Sequence, residues 1–89
     1  MKCVRCVVSG RVQGVFFRRS AQVKAIELEV LGWARNLPNG GVEVLVCGEA
    51  SAVEAMRIWL WRGPPYARVE DVTWEEVAVP DDLDGFEVR

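Results

Sequence analysis

An α+β sandwich, with two helices covering one face of a four-stranded antiparallel sheet, is the fold this 89-residue sequence predicts. Three observations carry the prediction. Apolar patterns of period 2 and period 3.6 follow one another in the order β-α-β-β-α-β. An Asn39-Gly40 pair sits between the two middle strand patterns, where a tight hairpin is needed. No linker, repeat or low-complexity stretch interrupts the series. That order is the split βαβ, or ferredoxin-like, arrangement.

Residues 2–9 alternate, with Val4, Cys6 and Val8 on one face and Cys3, Arg5, Val7 and Ser9 on the other, which reads as a strand. From 17 to 28, Phe17, Ala21, Ala25 and Leu28 recur at helical spacing and form one apolar stripe, while Arg19, Gln22, Lys24 and Glu27 fall mostly outside it. Val30 to Leu37 and Val42 to Gly48 read as antiparallel neighbours around Pro38-Asn39-Gly40-Gly41. Ser51-Ala52-Val53-Glu54 has the form of a capping box. Val53, Met56, Ile58, Trp59 and Leu60 then supply the buried side of a second helix, stopped by Gly63-Pro64. Val69 to Val79 alternates as a long strand, and Phe86 to Val88 reads as a short closing edge after the turn at Pro80-Asp81-Asp82.

The totals bound the function. Eighty-nine residues suffice for one core, so 1–89 is read as a single domain, and 51% hydrophobic content makes that core feasible. A formal net charge of −2 argues against a generic nucleic-acid binder, which needs a basic excess to displace counterions. No apolar run approaches the roughly 20 residues that cross a bilayer, and Met1 to Arg5 lacks the apolar region of a signal peptide. A cytoplasmic location, with no membrane partner, is therefore expected.

Histidine is absent, which excludes imidazole general bases, Ser-His-Asp and Cys-His catalysis, and histidine-ligated zinc. Cys3 and Cys6 have a C-x-x-C spacing, but in a strand an i,i+3 pair points to opposite faces. With Cys47 they are expected to be core or surface thiols, holding no metal. Trp33, Trp59, Trp61 and Trp74 suggest stacking platforms for bases. The third strand, however, reads Gly41-Val42-Glu43-Val44-Leu45-Val46 where a nucleic-acid reader on this topology would place a basic-Gly-aromatic block, so core and sheet-face packing is expected.

The richest segment is Ser9-Gly10-Arg11-Val12-Gln13-Gly14-Val15-Phe16-Phe17-Arg18, which joins the first strand to the first helix. Glycines at 10 and 14 allow backbone conformations in which successive N–H groups converge on one point. The helix that follows contributes its own free amides and the positive end of its dipole. Arg18, in the first turn, adds a planar fork of donors matched to two phosphate oxygens. A compact phosphate dianion is the expected guest. A whole nucleotide is disfavoured, because no Lys-Ser or Lys-Thr follows Gly14 and the three-glycine dinucleotide fingerprint is missing. Arg11, within this segment, and Arg35 flank the proposed site, and both are read as solvated charge.

Three blocks, Gly10-Arg-Val-Gln-Gly-Val-Phe-Phe-Arg18, Gly32-Trp-Ala-Arg-Asn36 and Gly63-Pro-Pro-Tyr-Ala-Arg-Val69, come in the order and spacing of one family. The chain resembles the acylphosphatases, from about residue 4 through Gly85-Phe-Glu-Val-Arg89. The resemblance implies the ferredoxin-like fold and metal-free, cofactor-free hydrolysis of acyl phosphates to a carboxylate and inorganic phosphate. It implies further that Arg18 binds phosphate with the amides of Gln13, Gly14, Val15, Phe16, Phe17 and Arg18, and that Asn36 positions the attacking water. An acyl phosphate already has a good leaving group, so the missing imidazole is no obstacle. In one place the chain departs from the family: Glu29 follows Leu28 where related sequences commonly carry a glycine that ends the first helix. If that position needs φ > 0, glutamate there costs about 1 kcal/mol.

The same fold also serves in non-catalytic ligand-binding or regulatory modules, which is the alternative reading. Acylphosphatase-like domains also open larger carbamoyl-transfer maturation proteins, but these carry zinc-finger cysteines and further domains that this sequence lacks. The expected partner is a small acyl phosphate and the expected state a monomer.

Overall fold

The alternation in the first ten residues becomes strand β1 (Lys2–Arg11), which runs beside the central strand of the sheet. The computed structural model describes residues 1–89, with α1 (Phe17–Leu28), β2 (Leu31–Asn36), β3 (Val42–Gly48), α2 (Ala50–Arg62), β4 (Arg68–Glu76) and β5 (Phe86–Val88) following in order. The strands lie in the order β4-β1-β3-β2-β5.

The first four strands pair antiparallel as expected, but the sheet has five strands and not four. β5 lies parallel on β2, with Gly32, Trp33 and Ala34 opposite Phe86, Glu87 and Val88. Without it β2 would be an edge with unpaired amides and carbonyls. The Gly32 N–H donates to the Gly85 oxygen at 3.0 Å and the Arg89 N–H to the Ala34 oxygen at 2.8 Å, which satisfies that edge.

Both helices pack on one face. Phe17, Ala21 and Ala25 of α1 and Val53, Met56 and Leu60 of α2 join Val4, Cys6, Val8, Val42, Val44, Val46, Ala34 and Phe86 in one core. Ile58, expected inside α2, is exposed, because it lies on the helix face turned from the sheet. The expected capping box does not form: α2 starts at Ala50 after Glu49, no side chain caps it, and Glu54 instead pairs with Arg57 at 2.5 Å. The alternation at 69–79 forms a strand only to Glu76, beyond which just the Val77 N–H still reaches β1, donating to the Cys3 oxygen.

The opposite face carries a second cluster of Cys3, Leu45 and Cys47, with Trp33, Val77 and Leu83 against it. Cys3 and Cys6 do point to opposite faces. Cys3 stands directly across from Cys47 in the β1–β3 register, and the two form a disulfide where free thiols were expected. Cys6 remains a buried free thiol on the helix side. Glu43 is the one buried charged residue, 2% exposed, and it accepts from Arg5 and Arg35 on the strands to either side. Arg35 is thus a paired group and not merely solvated charge.

Trp74 and Trp61 are roughly half exposed, while Trp59 packs against the core with its ring 5.9 Å from that of Phe17. The packing expected of the tryptophans therefore holds for Trp59 and Trp33 and fails for Trp61.

Candidate active site at the β1–α1 turn

β1 and β4 keep register as far as Ser9, and a bulge at Ser9/Gly10 shifts it. Gly10 (φ 120°) permits this, since a Cβ there would run into the carbonyl oxygen of Arg68. The chain then leaves the sheet and turns into α1 through two left-handed residues, Gly14 (φ 75°) and Phe16 (φ 61°). Gly14 has open space around it, so conformation alone calls for glycine there. Phe16 takes the left-handed form at a cost of about 1–2 kcal/mol, although its side chain is 79% exposed and gains little from packing. Strain that packing does not repay is characteristic of functional turns.

The strained turn leaves its amides unengaged. None of the backbone hydrogen bonds outside the helices and strands is donated by Gln13 to Arg18. α1 has no side-chain cap and no acidic residue in its first turn, so the positive end of its dipole is not neutralised. Val12 and Val15 are buried and Phe17 is a core residue, which fixes the turn from below. Gln13 fixes it from the side, its Nε2 donating to the Leu37 and Gly41 oxygens, each at 2.8 Å.

Arg18 belongs to no ion pair. Its Nη1 donates to the backbone oxygen of Arg89 at 2.5 Å, which leaves its remaining N–H groups for an anion. Asn36 closes β2 with an exposed side chain whose amide makes no intramolecular hydrogen bond. Gly14, Phe16, Phe17, Arg18 and Asn36 line one cavity of about 280 Å³, joined by Val12, Arg19 and Val88. Gln13 and Val15 do not line it: one braces the hairpin and the other anchors the turn in the core.

A wider groove of about 700 Å³ runs between α1 and the end of α2, beside Lys24, Trp59 and Arg62. It is the larger of the two, but it contains neither the turn residues Gly14 and Phe16 nor Asn36. The contributions of Arg89 and Val88 go beyond the sequence reading. Their signal is the alternation of Phe86 and Val88 with Glu87 and Arg89, which marks a strand with one face toward the helices.

The acylphosphatase family model matches residues 4–88. An acylphosphatase of Nitrosococcus oceani is 60% identical over 98% of this chain and 97% of its own length. The solved structure of an acylphosphatase from Coxiella burnetii superposes with a TM-score of 0.93 at 49% identity, covering 99% of this chain and 92% of the other. The crystal structure of acylphosphatase from Bacillus subtilis superposes with a TM-score of 0.95 at 31% identity, over 100% and 99% of the two chains.

Proposed function

Because the chain belongs to the acylphosphatase family and is a hydrolase of acyl phosphates, we propose that Arg18 and the Gln13–Arg18 amides hold the phosphate while Asn36 orients the attacking water. The observation that carries this reading is the shared cavity: Gly14, Phe16, Phe17 and Arg18, whose backbone amides make no bond outside the helices and strands, line one small volume with Asn36, whose side-chain amide is unengaged.

The water oxygen attacks phosphorus in line with the acyl oxygen, the P–O bond to the acyl group breaks, and the carboxylate leaves with the bonding pair. The water proton passes to a phosphate oxygen of the substrate, since Asn36 is no base near neutral pH and histidine is absent. Charge spread over the equatorial oxygens is met by Arg18 and the turn amides, donors that need no reorganisation as the reaction proceeds. No metal enters this scheme. The unit acts as a single domain and a monomer in the cytoplasm. The formal charge of −2 supports a small-molecule substrate over nucleic acid. No helix is long and apolar enough to cross a membrane.

The test is hydrolysis of benzoyl phosphate by the purified chain in ¹⁸O-water with excess chelator. Chelator-resistant turnover that places the label in inorganic phosphate is expected, and Arg18→Ala abolishes it. Label in benzoate would contradict attack at phosphorus. No turnover by the folded protein would favour a non-catalytic binding module.

A further inference from the structure

We infer that Phe16, with Val88 beside it, forms the wall that receives the acyl group, so that this chain prefers acyl phosphates carrying an apolar, aryl-sized acyl group. The inference rests on the reading of the cavity as the phosphate site. Of the large apolar side chains that stand exposed, Phe16 and Val88 alone line the cavity that also contains Arg18 and Asn36. The other apolar members, Val12 and Phe17, are buried in the core. The cavity therefore presents two chemistries to a guest, polar groups at Arg18, Asn36 and the turn, and apolar surface at Phe16 and Val88. An acyl phosphate is divided in the same way, into a dianionic head and an acyl group.

The backbone at Phe16 is what assigns the ring a task. Its left-handed φ of 61° is a conformation that glycine or asparagine adopts with least strain. Gly14, two residues earlier, meets the same demand with glycine in open space. At position 16 the chain carries a phenyl ring instead, and no packing within the protein offsets the strain: the ring stacks on no other aromatic group and belongs to neither apolar cluster. Its contacts are made only when a ligand arrives. No acidic side chain lines the cavity, and Arg19, which could meet a charged acyl group, is engaged by Gln22 Oε1 at 2.8 Å. An apolar acyl group laid on Phe16 and Val88 removes apolar surface from water on both partners, and an aryl group adds edge or offset contacts with the ring. An acetyl group covers far less of that wall. The gain belongs to binding the substrate and not to the transition state, so it is read in KM more than in kcat.

The experiment compares kcat/KM for benzoyl phosphate and acetyl phosphate, with the inhibition constant of inorganic phosphate, in the parent, Phe16→Asn, Phe16→Leu and Val88→Thr, each checked for folding by thermal melting. Asparagine suits the left-handed backbone and removes the ring. Phe16→Asn is expected to lower the benzoyl-to-acetyl ratio of kcat/KM about 3- to 10-fold, chiefly by raising KM for benzoyl phosphate. Phe16→Leu keeps an apolar wall and recovers most of the ratio. Val88→Thr, similar in shape but with a hydroxyl, lowers the ratio about 2-fold. A parental ratio in Phe16→Asn overturns the inference. So does an equal loss with both substrates and with inorganic phosphate, which places the effect in the turn and not in the wall. Should Phe16→Asn fail to fold, Val88→Thr decides, and a parental ratio there overturns the inference. Phosphate inhibition lost in Arg18→Ala beside a parental ratio in Phe16→Asn defeats the acyl wall alone, whereas phosphate inhibition that survives Arg18→Ala defeats the reading of the cavity on which it rests.

Discussion

The Gln13 side chain donates to the carbonyl oxygen of Leu37 at 2.8 Å, tying the turn with the free amides to the strand end that carries Asn36. A second bond to the Gly41 oxygen closes the brace. One side chain thus ties the two halves of the candidate site directly to one another.

Removing that brace should affect geometry more than folding. Gln13→Ala loses two hydrogen bonds, each worth about 1 kcal/mol, so stability falls by about 1–2 kcal/mol in urea unfolding. Misplacement of Asn36 relative to bound phosphate should lower kcat by roughly 10-fold, since displacements near 1 Å cost up to about 100-fold. Steady-state kinetics at a temperature where the variant is fully folded separates the two effects.

Glu29 occupies the left-handed position that ends α1, at φ 59°, with its N–H on the Ile26 oxygen and that of Val30 on the Ala25 oxygen. A side chain there is strained and glycine is not. Glu29→Gly should stabilise the protein by about 1 kcal/mol in thermal or urea unfolding, with kcat/KM unchanged.

Burial pushes the Cys6 thiol up from 9.0 to about 11, against a smaller downward pull from the Arg57 guanidinium. A raised folded-state pKa means that this contribution to stability is fully present below about pH 9, where the unfolded thiol is also protonated. It is lost as pH rises to about 11. The loss is on the order of 2 kcal/mol. Unfolding free energies of the parent and of Cys6→Ala, measured across that window, should converge by this amount. Below pH 9, Cys6 should resist thiol reagents in the native protein.

Glu43 is the hub of the open sheet face, bonded to Arg5 and Arg35, and Arg5 extends the network to Glu75 at 3.4 Å. Both arginines keep substantial solvent contact, so the carboxylate's loss leaves them partly hydrated and costs less than breaking a fully buried pair. Glu43→Ala should destabilise by about 1–3 kcal/mol in denaturant unfolding.

Much of this arrangement is legible in the residues themselves. Period-2 and period-3.6 patterns locate β1, α1 and β5, because each buries one face against the same core, while β3 shows as a short, mostly apolar run buried on both faces. The glycine-containing turn and Arg18 are visible for the same kind of reason: a left-handed backbone and an arginine at the positive end of a helix have few structural uses. What the pattern hides is long-range pairing. Nothing local to Phe86–Val88 says that it lies parallel on β2, and nothing local to Arg89 says that its oxygen meets Arg18. Cys3 and Cys47 meet only because β1 and β3 share a register across 44 residues of sequence. Ser51 and Glu54 satisfy a capping pattern, yet the helix begins at Ala50 with Glu49 before it and no side-chain cap, and Val53, Met56 and Leu60 are its buried residues.

The most direct test of the central claim is the kinetics of Asn36→Ala with benzoyl phosphate. If Asn36 orients the attacking water while Arg18 and the turn amides hold the phosphate, kcat falls about 10²–10³-fold with a much smaller change in KM. A variant that keeps its turnover would contradict that assignment and leave the cavity as a phosphate-binding site without a water-positioning group.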